Sequence, residues 1–416
     1  MTNQGDLMSR REFIHLAGAM GVEASLLSAC ASGTIQHGDE AKGANLIVPK
    51  RAFGASGEMV STLALGGFFD PENSLELLEA AYALGVTYWE ITGIRGGKGH
   101  GAYLRLHPGH REDLFLLAKA KEPTPEAAEA GLIRALSETG STYIDFFVIH
   151  ALSDAGAMTS ELRQWVERTK REGRIRYFGF TTHSNMQRCL HAASEMDWID
   201  GVVAAYNYRL MQDPRMEDAL HACAGRGIAI TAIKSQALPT NPNAAIGVET
   251  SASSEALRRL GLEASSLYEA RLRAVWSNPA ITSICSLMPD PSTLISNALA
   301  ARRGSLDREA MVALESEARE SSSSYCAGCS TLCQAGRDAD VPIRDVMRYL
   351  MYARSYGDSG RARGAFAELP ATVKRTIENR DFAGAERRCP QKLPIGALLK
   401  QAAHELGGPS SPSALV

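Results

Sequence analysis

The chain has 416 residues and a formal net charge of −3 at pH 7, with 45% hydrophobic and 22% charged residues. This length exceeds one ordinary domain, and the composition allows a large core. The near balance of charge excludes the concentrated basic face that nucleic-acid binding usually needs, so no nucleic-acid partner is expected. No run of about 18 uncharged apolar residues is present, so no transmembrane helix is predicted.

The first thirty residues have the order of an export signal. Arg10 and Arg11 precede a mildly apolar stretch that ends in Leu27-Ser-Ala-Cys30. An Arg pair before such a stretch is typical of twin-arginine signals, and small residues before a cysteine are typical of lipoprotein cleavage sites. We therefore predict a signal over residues 1–30 and an exported protein, periplasmic or anchored to the membrane through a lipid on Cys30. A frayed tail with a chance Arg pair is the alternative.

Residues 31–48 are small, polar and charged and are predicted to be a linker, and a regular alternation of elements follows over residues 49–305. Short β-rich runs alternate there with amphipathic segments such as 127–136 and 161–171. Eight such units predict a closed parallel (β/α)8 TIM barrel. An open doubly wound sheet is the alternative, but its usual Gly-rich phosphate turn is absent after the first strand. The predicted strands are 63–67, 87–92, 114–119, 145–150, 177–181, 201–205, 228–233 and 281–286.

Polar residues collect where these predicted strands end, and the chemistry of such barrels lies at the C-terminal ends of the strands. We therefore hypothesise that these residues form one functional site. The residues are Glu90, Thr92, Lys119, His150, Thr181, Thr182, His183, Tyr206, Asn207, Lys234 and Ser286.

A set of short motifs runs in order through roughly residues 49–300. They are 51–57, 65–67, Tyr88-Trp89-Glu90, Arg111-Glu112-Asp113 before Lys119, 145–150, 173–184 and Tyr206-Asn207. The ordered set resembles the aldo/keto reductase family, particularly its bacterial iron–sulfur branch. The resemblance implies a barrel in which a Tyr protonates a carbonyl oxygen while NADPH delivers hydride. A Lys lowers the pKa of that Tyr, an Asp orients the Lys, and a His places the carbonyl.

By this resemblance Lys119 and His150 match the family's Lys and His, and Glu90 stands in place of the Asp. These three are the predicted catalytic residues. The catalytic Tyr is missing, because residues 91–100 offer none at the expected offset and Tyr103 reads as a helix residue. The alternative is structural: Lys119 and Glu90 pair only to stabilise the barrel mouth, and His150 is a core histidine.

The resemblance also implies a cofactor, NADP(H) or NAD(H). The predicted cofactor-binding residues are Thr182, His183, Tyr206, Asn207, Ser286 and Asn297. Three departures argue against this cofactor: Val203 replaces a Gln, Ser296 replaces a Glu, and residues 286–289 replace a Gly-containing loop without a basic residue for a 2′-phosphate. Tyr206 retains the ring that would stack on a nicotinamide. Thr182 and His183 have an alternative as caps of the next helix.

The eight cysteines are unevenly spread. Cys189, Cys223 and Cys285 are isolated and are predicted to be buried small hydrophobes. The last quarter holds a C-x2-C-x3-C motif and, after a gap of 55 residues, a C-P motif. Four thiolates suit a [4Fe–4S] cluster or a zinc ion, and the proline resembles the end of a bacterial ferredoxin motif. A cluster is predicted first, zinc second and disulfides third. The predicted ligands are Cys326, Cys329, Cys333 and Cys389.

Residues 306–408 are thus predicted to be a helical iron–sulfur domain, with helices over 306–319, 341–356 and 360–368 and a tail over 409–416. Arg344, Arg348 and Arg354 are interpreted as a solvated face. The predicted function is carbonyl or alcohol redox chemistry on a small molecule, coupled to the cluster and to a redox partner. A degenerate barrel that acts as a binding or partner protein with a structural metal is the alternative.

Overall fold

The computed structural model describes residues 47–67, 74–91, 97–242, 252–262 and 264–407. The predicted signal, most of the linker, Thr92 and the predicted tail lie outside the described residues. Among those described, no helix combines the length and the apolar character needed to cross a membrane.

Eight parallel strands close into a barrel, which confirms the predicted fold. The last strand pairs with the first through Cys285 beside Ala64 and Ser286 beside Leu65, and this pairing closes the ring. Each strand begins and ends within two residues of its predicted bounds. The barrel strands are β3 Leu63–Gly66, β4 Tyr88–Glu90, β5 Phe115–Ala120, β6 Ile144–Ile149, β7 Ile175–Thr182, β8 Gly201–Ala205, β9 Ala229–Ile233 and β10 Ile281–Leu287.

A short antiparallel hairpin, β1 (Lys50–Ala52) and β2 (Met59–Ser61), precedes the barrel and was not predicted, because strands of three residues carry too little pattern. The hairpin places Phe53 against aromatic rings inside the barrel. Its ring centroid lies 4.9 Å from that of Phe115, 5.0 Å from that of Phe146 and 5.1 Å from that of Tyr177. Since Phe115 begins β5 and Tyr177 lies near the start of β7, Phe53 fills the N-terminal end of the barrel.

Amphipathic helices cover the strands. Helix α4 (Ser160–Arg171) buries Leu162, Trp165, Val166 and Thr169, which is the one-sided spacing expected of such a helix. The helices around the barrel are α1 Leu75–Ala83, α2 Lys98–Leu106, α3 Pro125–Thr139, α4 Ser160–Arg171, α5 Met186–Ser194, α6 Pro214–Gly225, α7 Ala252–Arg259, α8 Ala264–Trp276, α9 Pro291–Arg303 and α10 Arg308–Glu320.

The C-terminal helices have their own core, but it begins later than the predicted boundary at residue 306. Helix α10 belongs to the barrel core, because Ala310, Ala313, Leu314 and Ala318 on one face are buried there. The second core starts at Cys333. Among the described residues, the four helices of this region that begin at Ser330, Ala371, Ala383 and Ile395 were not predicted. The C-terminal helices are α11 Ser330–Cys333, α12 Ile343–Ser355, α13 Ser359–Ala367, α14 Ala371–Asn379, α15 Ala383–Arg388 and α16 Ile395–Leu406.

Phe53→Ala is expected to destabilise the fold by about 3–5 kcal/mol, because it empties the aromatic cluster at the N-terminal end of the barrel. Urea denaturation followed by circular dichroism measures the loss. Leu106→Ala is the control, since this side chain is 63% exposed and its loss is expected to cost less than about 0.5 kcal/mol. Equal effects of the two substitutions would contradict the role of Phe53.

Candidate active site at the barrel mouth

A buried ion pair joins Glu90, the last residue of β4, to Lys119 in β5. Glu90 lies beside Leu117 in the strand register, and Lys119 points to the same face two residues further on. Glu90 Oε2 also accepts a hydrogen bond from the Gly67 N–H at 3.1 Å. Burial opposes ionisation of Glu90, but the charge of Lys119 and the hydrogen bonds outweigh it and hold the pKa of Glu90 below its usual value. The pair is therefore charged.

Two histidines stand beside this pair. His150 follows β6 and is exposed at the mouth, and its Nδ1 lies 3.2 Å from Thr181 Oγ1 on β7. Its ring meets the ring of His183 edge to face, with centroids 6.2 Å apart. Desolvation, followed by the charge of Lys119, lowers the pKa of His150. The pKa of His183 is also lowered, first by burial and then by Arg348. Both imidazoles are neutral hydrogen-bonding groups at neutral pH.

Three basic residues approach the same mouth, namely Lys234, which was predicted at a strand end, and two arginines that were left out of the predicted site. Lys234 follows β9, and Arg344 and Arg348 come from α12 across the mouth; all three line one cavity with His183. The interpretation of these arginines as a solvated face is wrong, since the side chains of Arg344 and Arg348 are only 16% and 14% exposed. Arg344 and Arg348 are four residues apart and therefore lie on one face of a helix. This spacing is visible in the sequence and could have indicated that the two arginines act together.

Three of the predicted cofactor residues serve the surrounding structure instead. Tyr206 packs in the core between the strands and the helices, and its hydroxyl donates to Glu217 Oε1 at 2.5 Å. Asn207 Nδ2 donates to the Tyr325 hydroxyl at 2.9 Å. The Thr182 hydroxyl donates to the Ser184 carbonyl at 2.9 Å. Tyr206 therefore does not present its ring to the mouth.

The end of the last strand is also occupied by internal contacts. Asn297 Nδ2 donates to Ser286 Oγ at 3.1 Å, so these two predicted cofactor residues bind each other. The following helix α9 is capped by Asp290, whose Oδ1 accepts from the Thr293 N–H at 2.9 Å. A carboxylate at a helix N-terminus takes the place where a phosphate would bind. Together with Tyr206, these contacts mean that the described residues do not fit a nicotinamide dinucleotide.

The four cysteines of the C-terminal region meet in space. Cys326, Cys329, Cys333 and Cys389 line a single cavity together with apolar residues such as Met347. All four are free thiols. Burial, followed by the neighbouring Cys326, raises the pKa of Cys329 and of Cys333 to about 12. The thiols are thus close enough to affect one another.

One arginine ties the two cysteine segments together. Arg388, next to Cys389, donates to the carbonyl oxygens of Leu332 at 2.8 Å and Cys333 at 3.2 Å. Its Nη2 also lies 2.8 Å from Oδ2 of the buried Asp338. Because a guanidinium has five donors in a fixed plane, it can hold several carbonyl oxygens at once. Cys389 is thereby fixed beside the first motif.

The cysteine loop is docked directly on the barrel. The Asn185 N–H donates to the Gly328 carbonyl at 3.0 Å, and Asn185 Oδ1 accepts from the Thr331 N–H at 3.1 Å. Gly328 has a φ of +79°, and a Cβ on it would lie 2.7 Å from the His183 carbonyl oxygen. Only glycine fits this approach. Cys326 lines both the cysteine cavity and the cavity at the mouth.

Residues 59–241 match the sequence profile of the aldo/keto reductase family. This part of the chain is similar in sequence to aldo/keto reductases, and the match covers a little under half of the chain. Among curated proteins, none matches the chain.

Solved aldo/keto reductases share the fold. The holo form of the aldo-keto reductase AKR11C1 from Bacillus halodurans is 17% identical, with a TM-score of 0.52, over 65% of this chain and 96% of that chain. The thermostable aldo-keto reductase Tm1743, in complex with the inhibitor epalrestat, is 20% identical, with a TM-score of 0.51, over 64% of this chain and 99% of that chain. At these identities the likeness establishes the fold.

Within the matched residues, Tyr103 does not take the place of the tyrosine that the resemblance leads one to expect. It lies in α2, where it is buried, and its hydroxyl hydrogen-bonds with His110 Nδ1 at 2.8 Å. The residues brought together at the mouth are Glu90, Lys119, His150, Thr181, His183 and Lys234.

Lys119→Met is expected to destabilise the protein by about 3–5 kcal/mol, because it leaves the buried Glu90 carboxylate without its counter-charge. The double substitution Lys119→Met with Glu90→Gln is expected to recover most of this loss, since it removes both charges. Urea denaturation of the two single variants and the double variant measures the coupling.

The control for this cycle is Glu167→Gln at the exposed pair with Arg163, where the side chains are 43% and 49% exposed. Its cost is expected to stay below about 1 kcal/mol. A Lys119→Met variant as stable as the Glu167→Gln variant would show that the pair at the mouth is not a buried one.

Proposed function

We propose that the chain is an oxidoreductase whose aldo/keto reductase barrel works with a [4Fe–4S] cluster held by Cys326, Cys329, Cys333 and Cys389. The observation that supports it most is that cysteines from two distant segments line one cavity. One of them, Cys326, also lines the cavity at the barrel mouth. When bound, the cluster would supply one-electron transfer. Carbonyl or alcohol oxygens are the groups on which the barrel acts.

The four thiols share one cavity, and this donor set suits a [4Fe–4S] cluster or a zinc ion. In the described part of the chain no three His, Cys, Asp or Glu side chains are already arranged around one metal position. The ranking of a cluster above zinc therefore rests on the C-P motif at Cys389, which resembles the end of a bacterial ferredoxin motif. The free state of all four cysteines argues against disulfides.

The barrel residues have definite tasks in this proposal. Glu90 holds Lys119 in the mouth through their ion pair. Lys119 and the neutral His150 then orient and polarise the substrate oxygen. No step runs through a nicotinamide, because the described residues do not fit one. Reduction of a carbonyl takes two electrons and two protons, so a one-electron cluster must be reduced twice for each turnover. A separate redox partner is therefore part of the proposal.

The second candidate function is a degenerate barrel that binds a small molecule or a partner and carries a structural metal. The observation that favours it is the position of the tyrosines: Tyr206 packs in the outer core and Tyr103 pairs with His110. Neither supplies a proton at the mouth. Electron transfer between the metal centre and a carbonyl substrate distinguishes the two functions.

We also propose that the protein is exported, periplasmic or lipid-anchored. The order of Arg10, Arg11, the apolar stretch and Cys30 supports this. Twin-arginine export carries folded proteins, and this suits a cluster installed before transport.

Anaerobically purified protein is expected to be brown and to contain about four irons and four sulfides per chain. Cys326→Ser is expected to lose most of this iron, because the cluster needs all four thiolates. Iron and sulfide analysis with visible spectroscopy measures the loss. The control is Cys223→Ala, at a buried cysteine in the barrel core, which is expected to retain its iron. Unchanged iron in Cys326→Ser, or one zinc per chain in the wild type, would refute the ligand assignment.

With dithionite in excess, the cluster is re-reduced after each one-electron step, so both electrons of a carbonyl reduction are supplied. Iron-replete protein is then expected to convert an aldehyde or ketone to its alcohol and to consume dithionite. His150→Gln is expected to slow this consumption by about 100-fold without loss of iron. NADPH added to the oxidised protein is expected to leave the visible band of the cluster unchanged. If no member of an aldehyde and ketone panel is reduced by iron-replete protein, the binding function replaces the reductase.

A further inference from the structure

A second cavity lies between the barrel mouth and α12. It has a volume of about 30 Å³ and is lined by His183, Lys234, Tyr325, Arg344 and Arg348. This is room for about two water molecules, or for one carboxylate or phosphate group that takes their place. Arg344 and Arg348 lie beyond residue 241, where the family match ends. More than half of the residues that line the cavity therefore come from a part of the chain outside the family match.

The cavity carries an excess of positive charge. Within the described residues no carboxylate forms an ion pair with Lys234; its Nζ lies over the rings of Tyr352 at 5.1 Å and Tyr356 at 5.8 Å. Arg344 and Arg348 share one carboxylate, that of Asp345, at 2.6 Å and 3.7 Å. Burial, followed by the charge of Arg348, lowers the pKa of Lys234 to about 7. Among the described residues, the cations at this cavity therefore outnumber the carboxylates that pair with them.

A buried donor in the wall of the cavity is also without an acceptor. Arg348 Nη1 lies 3.2 Å from His183 Nε2. A guanidinium only donates, so Nε2 accepts and the neutral ring carries its hydrogen on Nδ1. His183 Nδ1 is buried and has no hydrogen-bond partner among the described residues. Buried donors are usually satisfied, and an orphan of this kind indicates a missing acceptor.

We propose that this cavity binds the anionic group of a small molecule, a carboxylate or a phosphate, through Lys234, Arg348 and His183. An oxygen of such a group accepts from His183 Nδ1 and from the two cations, which are donors only. The evidence for the anion site is the cavity, its positive charges and the unpaired Nδ1 donor of His183. The further statement that the anion is part of the substrate rests on the proposed function. The substrate class is then a carbonyl or hydroxy compound that carries a carboxylate or a phosphate, with its reacting carbon toward Lys119 and His150.

A different account is that the cations only balance the negative charge of the cluster. Arg348 does act on Cys326, since its charge lowers the pKa of that thiol, although burial raises that pKa more. Arg344 lines both the cysteine cavity and the cavity at the mouth, whereas Lys234 and His183 line only the cavity at the mouth. The two accounts therefore make different predictions for a substitution of Lys234.

The test is calorimetric titration of the full-length, iron-loaded protein with sodium phosphate and with sodium acetate, at an ionic strength held constant with sodium chloride. Saturable binding of at least one anion is expected. Lys234→Met is expected to weaken it at least tenfold with iron content unchanged, and Lys234→Arg to retain it. The control Lys400→Met, at an exposed lysine of α16, is expected to bind as the wild type does. The anion that binds more tightly identifies the group.

Two outcomes would overturn the proposal. The first is that wild-type protein binds neither anion; if Lys234→Met protein also loses iron in that case, the cations belong to the cluster. The second is that Lys234→Met protein binds the anion as well as the wild type does. Both readouts are independent of turnover. Anion binding without carbonyl reduction would thus refute the reductase and leave the anion site in place.

Discussion

The arrangement of the two parts depends on the contact between the loop after β7 and the cysteine loop. Asn185, with a φ of +48°, turns its N–H to the Gly328 carbonyl and its side-chain oxygen to Ser330 and Thr331. Gly328 packs so closely on the His183 carbonyl that a side chain would not fit. This contact places Cys326 between the barrel mouth and the cysteine cavity. The cavity at the barrel mouth and the cavity of the four cysteines are therefore adjacent, with Cys326 in the wall of both.

The mouth combines one balanced and one unbalanced set of buried charges. Glu90 and Lys119 neutralise each other, with further hydrogen bonds to the carboxylate, so their burial is compensated. On the other side of the mouth Arg344 and Arg348 share the carboxylate of Asp345, and no carboxylate among the described residues pairs with Lys234. Buried charge without a partner is costly, and proteins retain it mainly where a ligand supplies the partner. Lys119 and His150 thus lie at a mouth that also carries the buried cations Lys234 and Arg348.

Much of the fold followed from local pattern. The strand ends at Glu90, Lys119 and His150 were placed correctly because alternation within each strand fixes which side chains face inward. The helices followed from apolar spacing, as in α4. The hairpin at Phe53 and the short helix α15 were missed, because elements of three to six residues hold too few positions for a period to show. Helix α10 was assigned to the wrong core, since its apolar stripe does not say which surface it covers.

The sequence by itself determined the barrel, the residues at its strand ends and the four cysteines, because these depend on periodicity and spacing along the chain. Only the tertiary structure decided how those residues are used. Tyr206 could not be assigned to the outer core without knowing its partner Glu217, and Asn207 could not be assigned to Tyr325, which is 118 residues away. The same holds for Lys234, His183 and Arg348, which form one cavity. Their meeting depends on how a separate helical core docks on the barrel, and that long-range packing leaves no local pattern in the sequence.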